Sequence, residues 1–147
     1  MTSRTILLVE DNPDDEVLTL RALKKNNIVN EVIVARDGAQ ALEVLFPGNG
    51  ADALIPGLIL LDLKLPKVDG LEVLHKIRAD KRTEIVPVVV LTSSKLDDDV
   101  LASYRGGANA YVRKPVKFAD FAEAVSALGV FWLLLNEAAP EFVPASD

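Results

Sequence analysis

The sequence predicts an α/β protein with a doubly wound parallel sheet, covered by helices on both faces. Short apolar runs rich in β-branched residues recur five times, and each is followed by a longer segment of helical character. The runs are apolar throughout rather than alternating, as strands buried on two faces must be.

Thr5–Val9 is the first strand, stopped by Glu10 and Asp11. Asn12 followed by Pro13 reads as a helix N-cap with proline at the first helical position. Asp14, Asp15 and Glu16 favour the positive end of that helix, which is predicted to run to about Asn26. Asn30–Ala35 is the second strand, and Asp37-Gly38 turns the chain into a short helix over Ala39–Phe46. Pro47–Gly57 carries three glycines and two prolines and reads as a surface loop or local insertion, because the pattern resumes after it. Leu58–Leu61 is a third strand ending at Asp62, followed by a helix over Gly70–Ala79. Strand Val86–Leu91 ends at Thr92, and helix Asp97–Tyr104 leads through Gly106-Gly107 to a fifth strand, Ala110–Val112. The last helix is predicted from near Lys117 to about Leu135. Residues 1–135 are expected to form one domain with an extended last helix, and residues 136–147 a tail with two prolines and little periodicity.

Composition narrows the partners. A chain of 147 residues can bury a full core without covalent staples. It has no cysteine, which removes disulfides and thiolate metal sites. The formal charge of −6 argues against sequence-independent nucleic-acid binding. No stretch approaches the ~20 apolar residues that span a bilayer, and the first apolar run is too short for a signal segment. The expectation is a cytoplasmic protein without direct contact with nucleic acid or membrane.

The informative polar residues all fall at strand ends: Glu10 and Asp11 after the first, Asp62 after the third, Thr92 and Ser93 at the fourth, and Lys114 beyond the fifth. Ligands of open parallel sheets bind beyond the carboxyl ends of the strands. Three carboxylates converging there repel one another unless a hard cation such as Mg²⁺ sits among them. A carboxylate beside Mg²⁺ can attack a phosphoryl group and become an aspartyl phosphate, while a lysine and a hydroxyl stabilise the equatorial oxygens. Singly, Asp62 reads equally well as a turn residue, Glu10-Asp11 as a solvated loop, Thr92 as a cap and Lys114 as a surface lysine. Their joint placement at successive strand ends favours the chemical reading. His75, the one histidine, is expected at the surface of an amphipathic helix.

Four motifs in this order, ILLVEDN (Ile6–Asn12), LILLDLKLPKVDG (Leu58–Gly70), PVVVLTSS (Pro87–Ser94) and YVRKP (Tyr111–Pro115), make the chain resemble response regulator receiver domains from Thr5 to about Leu128. The resemblance implies a flavodoxin-like fold of five βα units with strand order 2-1-3-4-5. It also implies roles. Asp62 matches the phosphoacceptor, and Asp11 and the backbone carbonyl of Lys64 match direct Mg²⁺ ligands. Glu10 matches the acid that acts largely through a metal-bound water. Thr92 matches the switch hydroxyl, Tyr111 the switch aromatic, and Lys114 the phosphoryl-binding lysine, whose bond to Pro115 is usually cis in that family. Small Ser93 leaves room for a phosphoryl group. A narrower resemblance is to stand-alone regulators that partner bacterial and cyanobacterial phytochromes. It rests on the insertion before the third strand, the wording DLKLPKVDG and the pair Phe131-Trp132, and implies a phosphohistidine donor on a light-sensing histidine kinase.

On a wheel of 100° steps, Phe118, Phe121, Ala122, Val125, Leu128 and Trp132 of the last helix share one face, assigned to the core. The opposite face begins polar with Asp120 and Glu123 and turns apolar with Ala127, Val130, Phe131 and Leu134, which predicts a partner or homodimer surface. A haloacid dehalogenase-type phosphohydrolase shares the strand-end Asp nucleophile with Mg²⁺, but needs an acid two residues later, where this chain has Lys64. A phosphate sink or phosphorelay intermediate is a second alternative. With little sequence after the receiver, output is expected to pass through an unknown downstream protein.

Overall fold

The computed structural model describes residues 5–25, 30–48, 52–115 and 117–135 of the 147. Strands β1 (Ile6–Val9), β2 (Val32–Ala35), β3 (Leu58–Leu61), β4 (Val88–Thr92) and β5 (Ala110–Arg113) alternate with helices α1 (Pro13–Lys25), α2 (Gly38–Leu45), α3 (Gly70–Ala79), α4 (Asp97–Arg105) and α5 (Phe118–Gly129). The strands form one parallel sheet in the order β2-β1-β3-β4-β5, as the resemblance implied.

Helices α1, α2 and α3 start where side chains take up orphan backbone N–H groups. Asn12 Oδ1 accepts from the amides of Asp14 (2.9 Å) and Asp15 (3.2 Å). The Asp37 side chain caps α2 through Gln40 N–H (2.7 Å), and Asp69 caps α3 through Glu72 N–H (3.0 Å). Each such cap is worth about 1 kcal/mol.

Side chains alternate across the sheet, so each strand feeds two cores. Leu7, Val9, Ile59, Leu61, Val88 and Val90 pack with Ala41 and Leu45 of α2 and Val73, Leu74 and Ile77 of α3. On the other face Ile6, Leu8, Leu58, Leu60, Val89 and Leu91 pack with Ala22 and Leu23 of α1 and Phe121 and Val125 of α5. Truncating one of these buried leucines to alanine costs about 2–5 kcal/mol. Arg78, near the end of α3, donates to the carbonyls of Thr83, Glu84, Val86 and Gly107, which pins the loops at the opposite end of the sheet from the acids.

Three boundaries differ from the sequence reading by two residues or more, the others by at most one. β4 begins at Val88 rather than Val86. Pro87 has no N–H to give the ladder, and Val86 is already turned back, its N–H on Thr83 O (3.0 Å). β2 is shorter at its start, an edge strand that begins at Val32. The last helix does not continue regularly to Leu135. It ends at Gly129 and widens into π-helical turns over Val130–Leu135. Glycine is a weak helix former, and the loosening there lets Trp132 pack on the α1–α5 core while Phe131 meets it edge-on, ring centroids 5.1 Å apart. Of the predicted core stripe, Phe121 and Val125 are buried and Ala122, Leu128 and Trp132 half-buried, while the Phe118 side chain lies outside the described residues. So do the Leu134 side chain and the tail, 136–147. Among the described residues no helix is long and apolar enough to cross a membrane.

Candidate functional site

Parallel register builds the site. Val9 lies opposite Leu61, so the next residues, Glu10 and Asp62, emerge side by side where the two strands end. Asp62 N–H is fixed on Val9 O (3.1 Å) and Glu10 N–H on Ala35 O (3.0 Å). Asp11 follows, exposed at the mouth. Ligand oxygens of Glu10, Asp11 and Asp62 lie within 4.8 Å of one another. From the neighbouring strands, Thr92 Oγ1 donates to Asp62 Oδ1 (2.9 Å), and Lys114 N–H donates to Thr92 O (2.7 Å). The β4–β5 ladder thus aligns the hydroxyl and the lysine.

The Lys114 ammonium, with only 8% of its side chain exposed, reaches Glu10 Oε1 at 2.5 Å and Asp62 Oδ2 at 3.0 Å. It also reaches Asp15 Oδ2 at 2.9 Å. Burial pushes the Glu10 carboxyl up to about 7, against the hydrogen bond and charge of Lys114, and the Asp62 charge adds to the rise. Burial works against the charge on Lys114, but the hydrogen bond to Glu10 and the charges of Asp62 and Glu10 outweigh it and hold the ammonium above its ordinary value.

The β3–α3 loop closes over the site by close backbone contact. Lys64 N–H donates to Asp62 Oδ1 (3.2 Å), and Gly70 N–H to Leu63 O (2.9 Å). A Cβ at Gly70 would lie 2.3 Å from Asp62 O, so only glycine fits there. On the opposite rim, Ser94 Oγ donates to Asp99 Oδ2 (2.5 Å), and the same oxygen sits 3.5 Å from the Lys64 ammonium. Tyr111 is half-buried, its hydroxyl donating to Ser94 O (3.1 Å). Ser93 is exposed at the end of β4. The Lys114–Pro115 bond, cis by the resemblance, is trans in the structure, whose described backbone has no cis peptide.

The structure therefore brings Glu10, Asp11, Asp62, Thr92 and Lys114 into one crevice, with Lys64 and Tyr111 at its edges. The apolar stripe of the last helix is elsewhere: Ala127 is exposed, Val130 half-buried and Phe131 49% exposed. His75 is exposed, as expected. Two contacts were missed. Asp15 gave no signal, because its contact with Lys114 joins the first turn of α1 to the end of β5, 99 positions away. Asp99 gave none either, because its link to Ser94 and Lys64 depends on how two loops fold together. The donor set is all hard oxygen, with carboxylates close enough to share one ion, which fits Mg²⁺ or a similar hard divalent cation.

Comparison with known proteins agrees with this geometry. The response regulator receiver domain matches residues 6–126. Response regulator Rcp1 of Synechocystis sp. is 43% identical over 131 residues, 88% of this chain and 89% of its own. The Mn²⁺-bound form of Rcp1 superposes with a TM-score of 0.88 at 40% identity, covering 93% of this chain and 99% of that one. The phosphorylated cyanobacterial phytochrome response regulator RcpA superposes with a TM-score of 0.89 at 38% identity, covering 95% of this chain and 100% of that one. The bacteriophytochrome response regulator AtBRR is 51% identical, covering 93% of this chain and 100% of that one, with a TM-score of 0.68. These findings leave the haloacid dehalogenase alternative without support, in line with a lysine at position 64 where that chemistry needs an acid. Fold, strand-end acids and relatives converge, and the chain belongs to the response regulator receiver family of two-component signalling proteins.

Proposed function

We propose that Asp62 accepts a phosphoryl group from a phosphohistidine of a light-sensing histidine kinase in the cytoplasm. The observation that carries this reading is the surround of Asp62: two further acids within ligand-sharing distance, a buried hydroxyl at 2.9 Å and a buried ammonium at 3.0 Å. A carboxylate oxygen of Asp62 forms the bond to phosphorus as the P–N bond to the donor imidazole breaks, and the imidazole leaves carrying a proton. Glu10, Asp11, Asp62 and the backbone carbonyl of Lys64 would hold Mg²⁺, which neutralises charge on the phosphoryl oxygens when bound. Lys114 supplies a fixed positive charge beside them. Thr92 exchanges its bond to Asp62 for one to a phosphoryl oxygen, Ser93 leaves that group room, and Tyr111 follows the change through the β4–α4 loop.

A phosphoryl group adds about −1.5 to −2 charges and new acceptor oxygens, and so shifts the population of arrangements from β4 to α5. The printed names of RcpA and AtBRR support a phytochrome-type kinase as donor. Residues 1–135 act as one receiver, which pairs with a second copy through Ala127, Val130, Phe131 and Leu134, and output passes to a downstream protein. Incubation with acetyl phosphate and Mg²⁺ tests the core of the reading: wild type gains one phosphoryl group and Asp62→Asn gains none. Labelling of the Asn variant at the wild-type level would move the acceptor elsewhere.

A further inference from the structure

Of the three acids that open α1, one reaches the lysine of the crevice. Asp14 is exposed and Glu16 pairs with Arg36 at 3.1 Å, whereas Asp15 Oδ2 lies 2.9 Å from the Lys114 ammonium with a quarter of its side chain exposed. An ammonium has three N–H donors. Here each has its own carboxylate: Glu10, Asp15 and Asp62. Glu10 and Asp62 are also the acids that a divalent ion would draw on, together with Asp11. Asp15 is outside that group.

Its position is fixed independently of the lysine. Asp15 N–H is held by Asn12 Oδ1 (3.2 Å), and its carbonyl accepts from the buried Thr19 hydroxyl (2.7 Å). The carboxylate therefore stands at a set height over the crevice, at the positive end of α1. We propose that Asp15 is a positioning residue for Lys114, the acid that receives the ammonium when Glu10 and Asp62 turn to the cation and keeps it poised beside the phosphoryl site. Without it, the buried ammonium has only Glu10 and Asp62 to satisfy it, and a divalent ion must displace one cation to bind another.

This inference rests on the receiver reading above, and its test separates the two. Calorimetric titration with Mg²⁺ in the absence of any phosphodonor compares wild type, Asp15→Asn, Asp15→Glu and Asp14→Asn, with acetyl phosphate labelling run in parallel. Asp15→Asn is expected to weaken Mg²⁺ binding about tenfold, the scale on which loss of a supporting partner weakens a metal site. Its labelling should also be slower at saturating Mg²⁺. Asp15→Glu, which keeps a carboxylate, recovers most of the loss. Asp14→Asn removes the same charge one residue back and stays within twofold of wild type. Wild-type affinity in Asp15→Asn, an equal loss in Asp14→Asn, or a Glu variant no better than Asn would each overturn the positioning role while Asp62 labelling stands. A wild-type chain that neither binds Mg²⁺ nor labels on Asp62 overturns both readings.

Discussion

Glu10 is a carboxyl group almost wholly withdrawn from water, 2% exposed, and burial lifts its pKa to about 7. A proton and a divalent ion compete for the same oxygens. The raised value means the protonated form persists to higher pH than in an ordinary glutamate, so metal affinity should climb as pH rises through about 7 and Glu10 ionises. Mg²⁺ titrations at about pH 6 and 8 check this, with tighter binding expected at the higher value; equal affinities would show Glu10 ionised throughout. Thr92 offers a second check at this scale. Thr92→Ala keeps Asp62 and the acids, so it should label with acetyl phosphate at a rate within several-fold of wild type, yet lose the phosphorylation-dependent shift of the Tyr111 ring signal in NMR. A variant that shows the full shift would exclude the hydroxyl as the relay. Asp62, Glu10, Asp11, Thr92 and Lys114 were legible because parallel strands deliver their ends to one edge. Asp15 was not, because its contact joins residues 99 positions apart through a side chain whose direction no periodicity gives.

Helices read well from the chain where a cap chemistry marks their start. Asn12, Asp37 and Asp69 each hold the first amides of the helix that follows, and α3 runs from Gly70 to Ala79 as the pattern predicts. Strand limits read less well, since they depend on which backbone groups find a neighbour. Val86 has the apolar, β-branched character of a strand, but the chain at Pro87 cannot complete the ladder. The widening after Gly129 had no sequence signature beyond the glycine, because it is decided by where Phe131 and Trp132 can pack. The β3–α3 loop is the element most tightly fitted around the site. Gly70→Ala forces a methyl group against the Asp62 carbonyl, and should cost about 2 kcal/mol or more in urea unfolding and slow labelling of Asp62. Wild-type stability in that variant would show that the loop can yield.

At the scale of the molecule, the order β2-β1-β3-β4-β5 places the reactive residues at one end of the sheet, while α5 packs beside α1 on one of its faces. The apolar stripe predicted there is partly visible in the exposed Ala127 and Phe131. Sedimentation at high micromolar concentration is expected to find a dimer, reduced to monomer by Phe131→Glu. A monomer for the wild type, with and without a phosphoryl mimic, would remove the self-association reading and leave the stripe to another protein.

The bond from Lys114 N–H to Thr92 O carries a lesson about what can vary over generations. Each residue advances a strand by about 3.3 Å and reverses the face its side chain occupies. A single insertion in β5 would thus swing the ammonium away from the crevice while leaving the hydroxyl behind. Changes of length between these two groups are tolerable only in α4 and its flanking loops, outside the shared ladder. That is where descendants of this chain are free to acquire new listeners without retuning the reaction.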